Sequence, residues 1–144
     1  SKAKLLEECL HRRNMNLQAS LDATIAKCEH NDYLAHVKAI FFWYHAWFHM
    51  EDFNGCMFQK AVEEVSKIYP STMQPAIEYK EWLLERIRSA LQQLQIKQPL
   101  QLAILLTSIL DGMTIQAQID KNSVNIDEYW KRVYQLIQLE LMAA

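Results

Sequence analysis

Between Leu100 and Ile119 the residues Leu102, Ala103, Ile104, Leu105, Leu106, Ile109, Leu110, Met113, Ile115, Ala117 and Ile119 fall nearly all round a helix. A helix that is apolar on every side must be covered on every side. The next segment adds Ile126, Tyr129, Trp130, Val133, Leu136, Ile137 and Leu141, again more than one stripe. A chain of 144 residues can hardly seal both. The pattern therefore predicts a second copy, with two helices from each subunit forming an intermolecular four-helix bundle of two-fold symmetry. The expected interface is Leu102, Leu106, Ile109, Leu110, Met113 and Gln116 on one helix, with Tyr129, Trp130, Val133, Leu136 and Ile137 on the other. Gly112, inside a helix, costs about 1 kcal/mol against alanine and can let another backbone come close. The competing reading is a buried central helix in a monomer.

The remaining sequence agrees with an all-α domain. There are only two glycines and three prolines, too few for the turns of a sandwich or barrel. We expect a single domain, residues 1–144, folded as a bundle of about five helices. Leu6, Leu10, Leu17, Leu21 and Ile25 mark a first helix from about Lys2 to Cys28. Asn31 can cap the next, from about Asp32 to Met50, and the run Glu51 to Gly55 breaks it. A short helix follows from Cys56 to about Ile68. Ser71 and Gln74 have capping-box spacing for the next helix, in which Pro75 lies early enough to be tolerated. Pro99 suits a helix first turn and opens the element that ends near Asp120. Asn125 and Glu128 repeat the capping-box spacing before the last helix, which runs to about Met142.

Formal net charge is -2, and the basic residues are scattered apart from His11, Arg12 and Arg13. A free-standing nucleic-acid module should carry a basic stripe, so nothing here reads as the part that holds DNA or RNA. Cys9, Cys28 and Cys56 are odd in number and widely spaced, which argues against a disulfide framework and for a cytoplasmic setting. The apolar stretch from Ala39 to Phe48 is too short to span a bilayer, and no membrane association is expected.

The second helix concentrates Phe41, Phe42, Trp43, Tyr44, Trp47 and Phe48, with His36, His45 and His49 interleaved. So many aromatics exceed one core stripe and suit the walls of an apolar small-molecule pocket. The expected ligand-binding set is Phe41, Tyr44, His45, Trp47, Phe48, Met57, Phe58, Tyr79, Trp82, Leu83 and Ile109, with Cys9 and Val62 as further lining. Tyr44, Tyr79 and His45 would orient a flat, hydrophobic or aromatic ligand. Ordinary core packing is the plainer account of any single aromatic. His45 and His49 share a helix face at a spacing that can bind metal, but without an HExxH pattern they read as two histidines near a helix end. Cys56, at a helix N-terminus, is either an activated thiol or a small space-filling residue. Asp111, on an apolar helix, needs a hydrogen-bonding partner. No GxSxG, P-loop, GxGxxG or CxxC is present, so no catalytic residues, cofactor or metal are expected. The alternative is a metal- or cofactor-binding helical-bundle enzyme.

Several segments resemble TetR-type transcription regulators in the order that family has them. Gly55, Cys56, Phe58, Ala61 and Glu64 look like its "GC-x-F-x-x-A-x-x-E" segment. Tyr79 and Lys80, followed by Leu83 and Leu84, are similar to its next helix. Leu110-Asp111-Gly112 and Gln116-Ala117-Gln118 resemble its "LLDG…QAQ" helix, and Ser1 to Leu6 resembles the junction to the DNA-binding head. The resemblance implies an effector-binding and dimerising domain of a bacterial repressor. Its middle helices would bind a small-molecule effector and its last two would form a homodimer. Operator DNA would be held only by an N-terminal helix-turn-helix domain lying before Ser1. Half-sites lie roughly 34 Å apart, so a tilt of the first helix would break register.

Overall fold

The structure, a computed structural model, describes residues 1–142. It is all-helical, with α1 Lys2–Ala26, α2 Tyr33–Phe48, α3 Met57–Val65, α4 Met73–Gln93, α5 Pro99–Ile119 and α6 Ile126–Met142. Two short 3-10 turns, Pro70–Thr72 and Lys121–Ser123, precede α4 and α6. The helices number six rather than about five, one for each of the segments expected from the sequence, with the nine-residue α3 packed on α4.

Caps explain the starts of α1, α2 and α6 and the end of α4. Ser1 accepts from the Lys4 amide at 3.2 Å, which starts α1. Asp32, not Asn31, caps α2 by accepting from the Ala35 amide at 3.1 Å. The Ser71–Gln74 box does not form. Pro70 has already turned the chain, so Ser71 lies inside the 3-10 turn, and the Gln74 side-chain Nε2 donates instead to the Glu78 carboxylate. The Asn125 box is half made: its side chain accepts from the Glu128 amide at 3.2 Å, while the Glu128 carboxylate pairs with Arg132. At the end of α4 the Gln95 amide reaches the Gln92 carbonyl and the Ile96 amide reaches Leu91. This is a Schellman ending, with Gln95 at φ 66°.

The core lies where α4 packs against α1, α2 and α5. Leu10, Leu21, Val37, Phe41, Leu83, Ile87 and Leu106 are sealed there at 0% exposure. α6 lies along α2, with Trp130 tilted against Phe41, and the Tyr129 hydroxyl donates to Gln116 of α5 at 2.7 Å.

α5 divides the expected interface in two. Leu102, Leu106, Leu110 and Met113, together with Val133 and Ile137 of α6, are no more than 5% exposed within the single chain. They are core residues and have no surface to lend to a partner, which corrects that part of the expectation. Ile109, Gln116, Tyr129, Trp130 and Leu136 keep partial exposure. The open side of α5 carries other residues: Ile104 at 49%, Leu105 at 45%, Ile115 at 50% and Ile119 at 84%. They recur at i, i+1, i+11 and i+15, with Ser108 and Gly112 between them. A Cβ placed on Gly112 would meet nothing within 4 Å, so the chain's own packing does not require that glycine. By length and composition α5 also qualifies as a membrane span, with mean hydropathy 1.4 and 39% of that window buried. Its contacts with α4 and α2 make it an integral part of the bundle.

Candidate functional site

α1 packs against α2, and residues 49–56 form the loop that leads to α3. The loop turns at Gly55, whose φ of +83° favours glycine. A Cβ there would lie 2.6 Å from the end of the exposed Gln118 side chain, which can swing aside, so the backbone angle rather than space is what favours glycine. A cavity of about 470 Å³ is bounded by Arg13, Asn16, Leu17 and Ser20 of α1, Trp43 and Trp47 of α2, Asp52 and Asn54 of the loop, and Met57 and Lys60 of α3. Positions 13, 16, 17 and 20 share one face of α1, and 43 and 47 are one turn apart on α2.

The two indoles form a continuous wall, with centroids 5.8 Å apart and an interplanar angle of 31°. The Trp43 Nε1 donates to Ser20 Oγ at 2.9 Å, which ties this wall to α1. Trp47 meets Phe53 edge-on at 4.9 Å, which holds the loop against it. Behind the indoles lies a second, far smaller space of about 10 Å³, barely enough for a single water. Tyr44, Cys56, Tyr79, Lys80, Asp111 and Thr114 surround it, and Leu17, Trp43 and Trp47 border both spaces.

Two polar pairs border that inner space. The Tyr44 and Tyr79 hydroxyls are hydrogen-bonded at 2.6 Å, and Lys80 pairs with Asp111, the partner this carboxylate required. Burial, first, and then the neighbouring Tyr79 raise the Tyr44 phenol well above its usual range. Burial also raises Tyr79, with the bond from Tyr44 offsetting part of the effect. Both are therefore neutral hydrogen-bonding groups at ordinary pH.

The expected ligand-binding residues separate accordingly. Trp47 and Met57 line the outer cavity, and Tyr44, Trp47 and Tyr79 line the inner one. Phe58 and Val62 border a different feature, an open apolar groove between α3 and α4. Phe41, Phe48 and Leu83 are wholly buried packing residues. His45, Trp82 and Ile109 line neither cavity, and Cys9 is exposed on α1. For Phe41 and Phe48 of α2 the reason is simple. A helix as aromatic as α2 uses one face for the core and only the adjoining face, at Trp43 and Trp47, for the cavity.

His45 meets His49 edge-on at 4.5 Å. Desolvation, then the neighbouring His49, lower its pKa, and Asp127 opposes them. Among the described residues no three histidine, cysteine or acidic side chains converge as metal ligands would. Arg13, Asn16 and Lys60 were missed from sequence. The repeat of 13, 16, 17 and 20 along one face of α1 was a visible signal, but nothing local to Lys60 places it opposite them.

No family model matches this sequence, and neither a curated protein nor a solved structure matches it.

Proposed function

We propose that this chain is the effector-binding and dimerising domain of a TetR-type transcription regulator acting in the cytoplasm. One observation carries the reading: the side of α5 that faces away from the core is a row of exposed isoleucines and leucines. Exposed apolar side chains gathered on one helix face, here with Ser108 and Gly112 between them, suit an interaction face. On α6, Leu136 and Leu139 follow Tyr129 at helical spacing, and the Tyr129 hydroxyl reaches α5. Leu139 is 62% exposed. Ile104, Leu105, Ile115 and Ile119 with Leu136 and Leu139 thus supply a two-helix face for a twin. Gly112 at its middle allows the partner's backbone to come close.

The cavity supports the other half of the reading. It is open to solvent and bordered by four residues of α1, the helix that would join a DNA-binding head. A molecule lodged there touches α1 directly. It shifts the angle of that helix only if it binds the tilted arrangement better than the operator-bound one.

Sedimentation equilibrium at micromolar concentration tests the claim. The expected species is a dimer, and a monomer under those conditions would remove the physical ground for this reading.

A further inference from the structure

We infer that the cavity between α1, α2 and α3 binds a planar aromatic anion, a flat ring system bearing a carboxylate. This deepens the effector-binding reading and rests on it. The cavity, about 470 Å³, falls within the roughly 300–1,000 Å³ common for small-molecule sites. Its long wall is the paired indoles of Trp43 and Trp47, against which a flat ring stacks. Trp43 has its one polar hydrogen committed to Ser20, so it offers the ligand only ring surface.

Charge selects the ligand's sign. Arg13 of α1 and Lys60 of α3 line the same cavity, and neither belongs to any ion pair among the described residues. The other pocket-lining cations are engaged: Lys80 with Asp111 and Arg86 with Asp22. Asp52 is the sole carboxylate on this lining, so two positive charges against one negative leave a net +1. A guanidinium takes a carboxylate through two parallel hydrogen bonds, and Asn16, three residues along the same helix, adds an amide donor. The field of Arg13 also extends inward, where it lowers the Tyr79 phenol against the effect of burial.

The test is isothermal titration calorimetry of the full chain with 2-naphthoate and with its neutral analogue 2-naphthylmethanol. One naphthoate should bind per chain, at least tenfold tighter than the alcohol. The double variant Arg13→Gln, Lys60→Gln, checked by circular dichroism for unchanged helicity, should lose that preference while still binding the alcohol. Trp47→Ala should weaken both probes. Equal affinity for the two probes overturns the charge assignment and leaves an apolar effector pocket standing. A preference that survives the double variant moves the anion site elsewhere and overturns the assignment too. Failure of naphthoate to bind overturns the inference outright. Sedimentation of the same samples separates these results from the dimer claim, since a monomer that binds naphthoate contradicts only the dimer.

Discussion

The phenolic oxygens of Tyr44 on α2 and Tyr79 on α4 lie 2.6 Å apart, and each residue is only 3% exposed. Each hydroxyl is thus the other's partner in a place where water has little room. The pair joins two helices that otherwise meet through apolar side chains, and it stands directly behind the tryptophan wall of the cavity.

Removing one of the two hydroxyls leaves the other buried and unpaired. Tyr79→Phe should therefore cost about 1–3 kcal/mol, read from urea unfolding. Combining it with Tyr44→Phe should cost less than the sum of the two single changes, because the second deletion removes the orphan. Strict additivity would show that the hydroxyls do not depend on one another.

The same pair sets an alkaline limit. Unfolded tyrosine ionises near pH 10, whereas burial holds both folded phenols protonated to higher pH. Above pH 10 the unfolded state binds fewer protons, so stability falls as pH rises, by up to about 1.4 kcal/mol per unit for each phenol. Below pH 10 this contribution is complete. The double phenylalanine variant should show a shallower loss of stability between pH 10 and 12. An identical slope would mean that other groups govern alkaline unfolding.

Helix positions were legible because apolar periodicity is a local property, and α1, α2, α4, α5 and α6 all follow it. Caps were less so. Asn31 and Asp32 are equally good candidates by type, and Ser71 loses its capping role because Pro70 turns the chain one step earlier. The largest gap concerned α5. Ile104 and Leu106 look alike in a helix that is apolar all round, yet one is 49% exposed and the other 0%. Which side faces the core depends on α4 and α2, and no local pattern encodes that. The cavity is similar: Arg13 and Lys60 come to line one space only through the tertiary fold.

Gln95 presents a separate opportunity. It occupies the left-handed position of the Schellman ending at φ 66°, where a side chain costs about 1–2 kcal/mol. Glycine would relieve this, less its own entropic cost of roughly 0.5–1 kcal/mol. Gln95 is exposed, so no packing is lost. Gln95→Gly should stabilise the fold by about 0.5–1 kcal/mol, a melting increase of about 2–4 °C. A lower melting temperature would show that glutamine is held there by something beyond backbone geometry.

Met113 and Ile115 are two residues apart on α5 and should behave oppositely. Met113 is 1% exposed and Ile115 is 50% exposed. Met113→Glu places a charge without a counterion in the core, which should cost at least about 3 kcal/mol and lower helicity whatever the oligomeric state. Ile115→Glu places its charge at the centre of the apolar α5 face. Circular dichroism should show helicity retained, while sedimentation should shift from dimer to monomer at the same concentration. If Ile115→Glu sediments as the wild type does, any dimer must use a different face, and the exposed isoleucines of α5 would need another occupant.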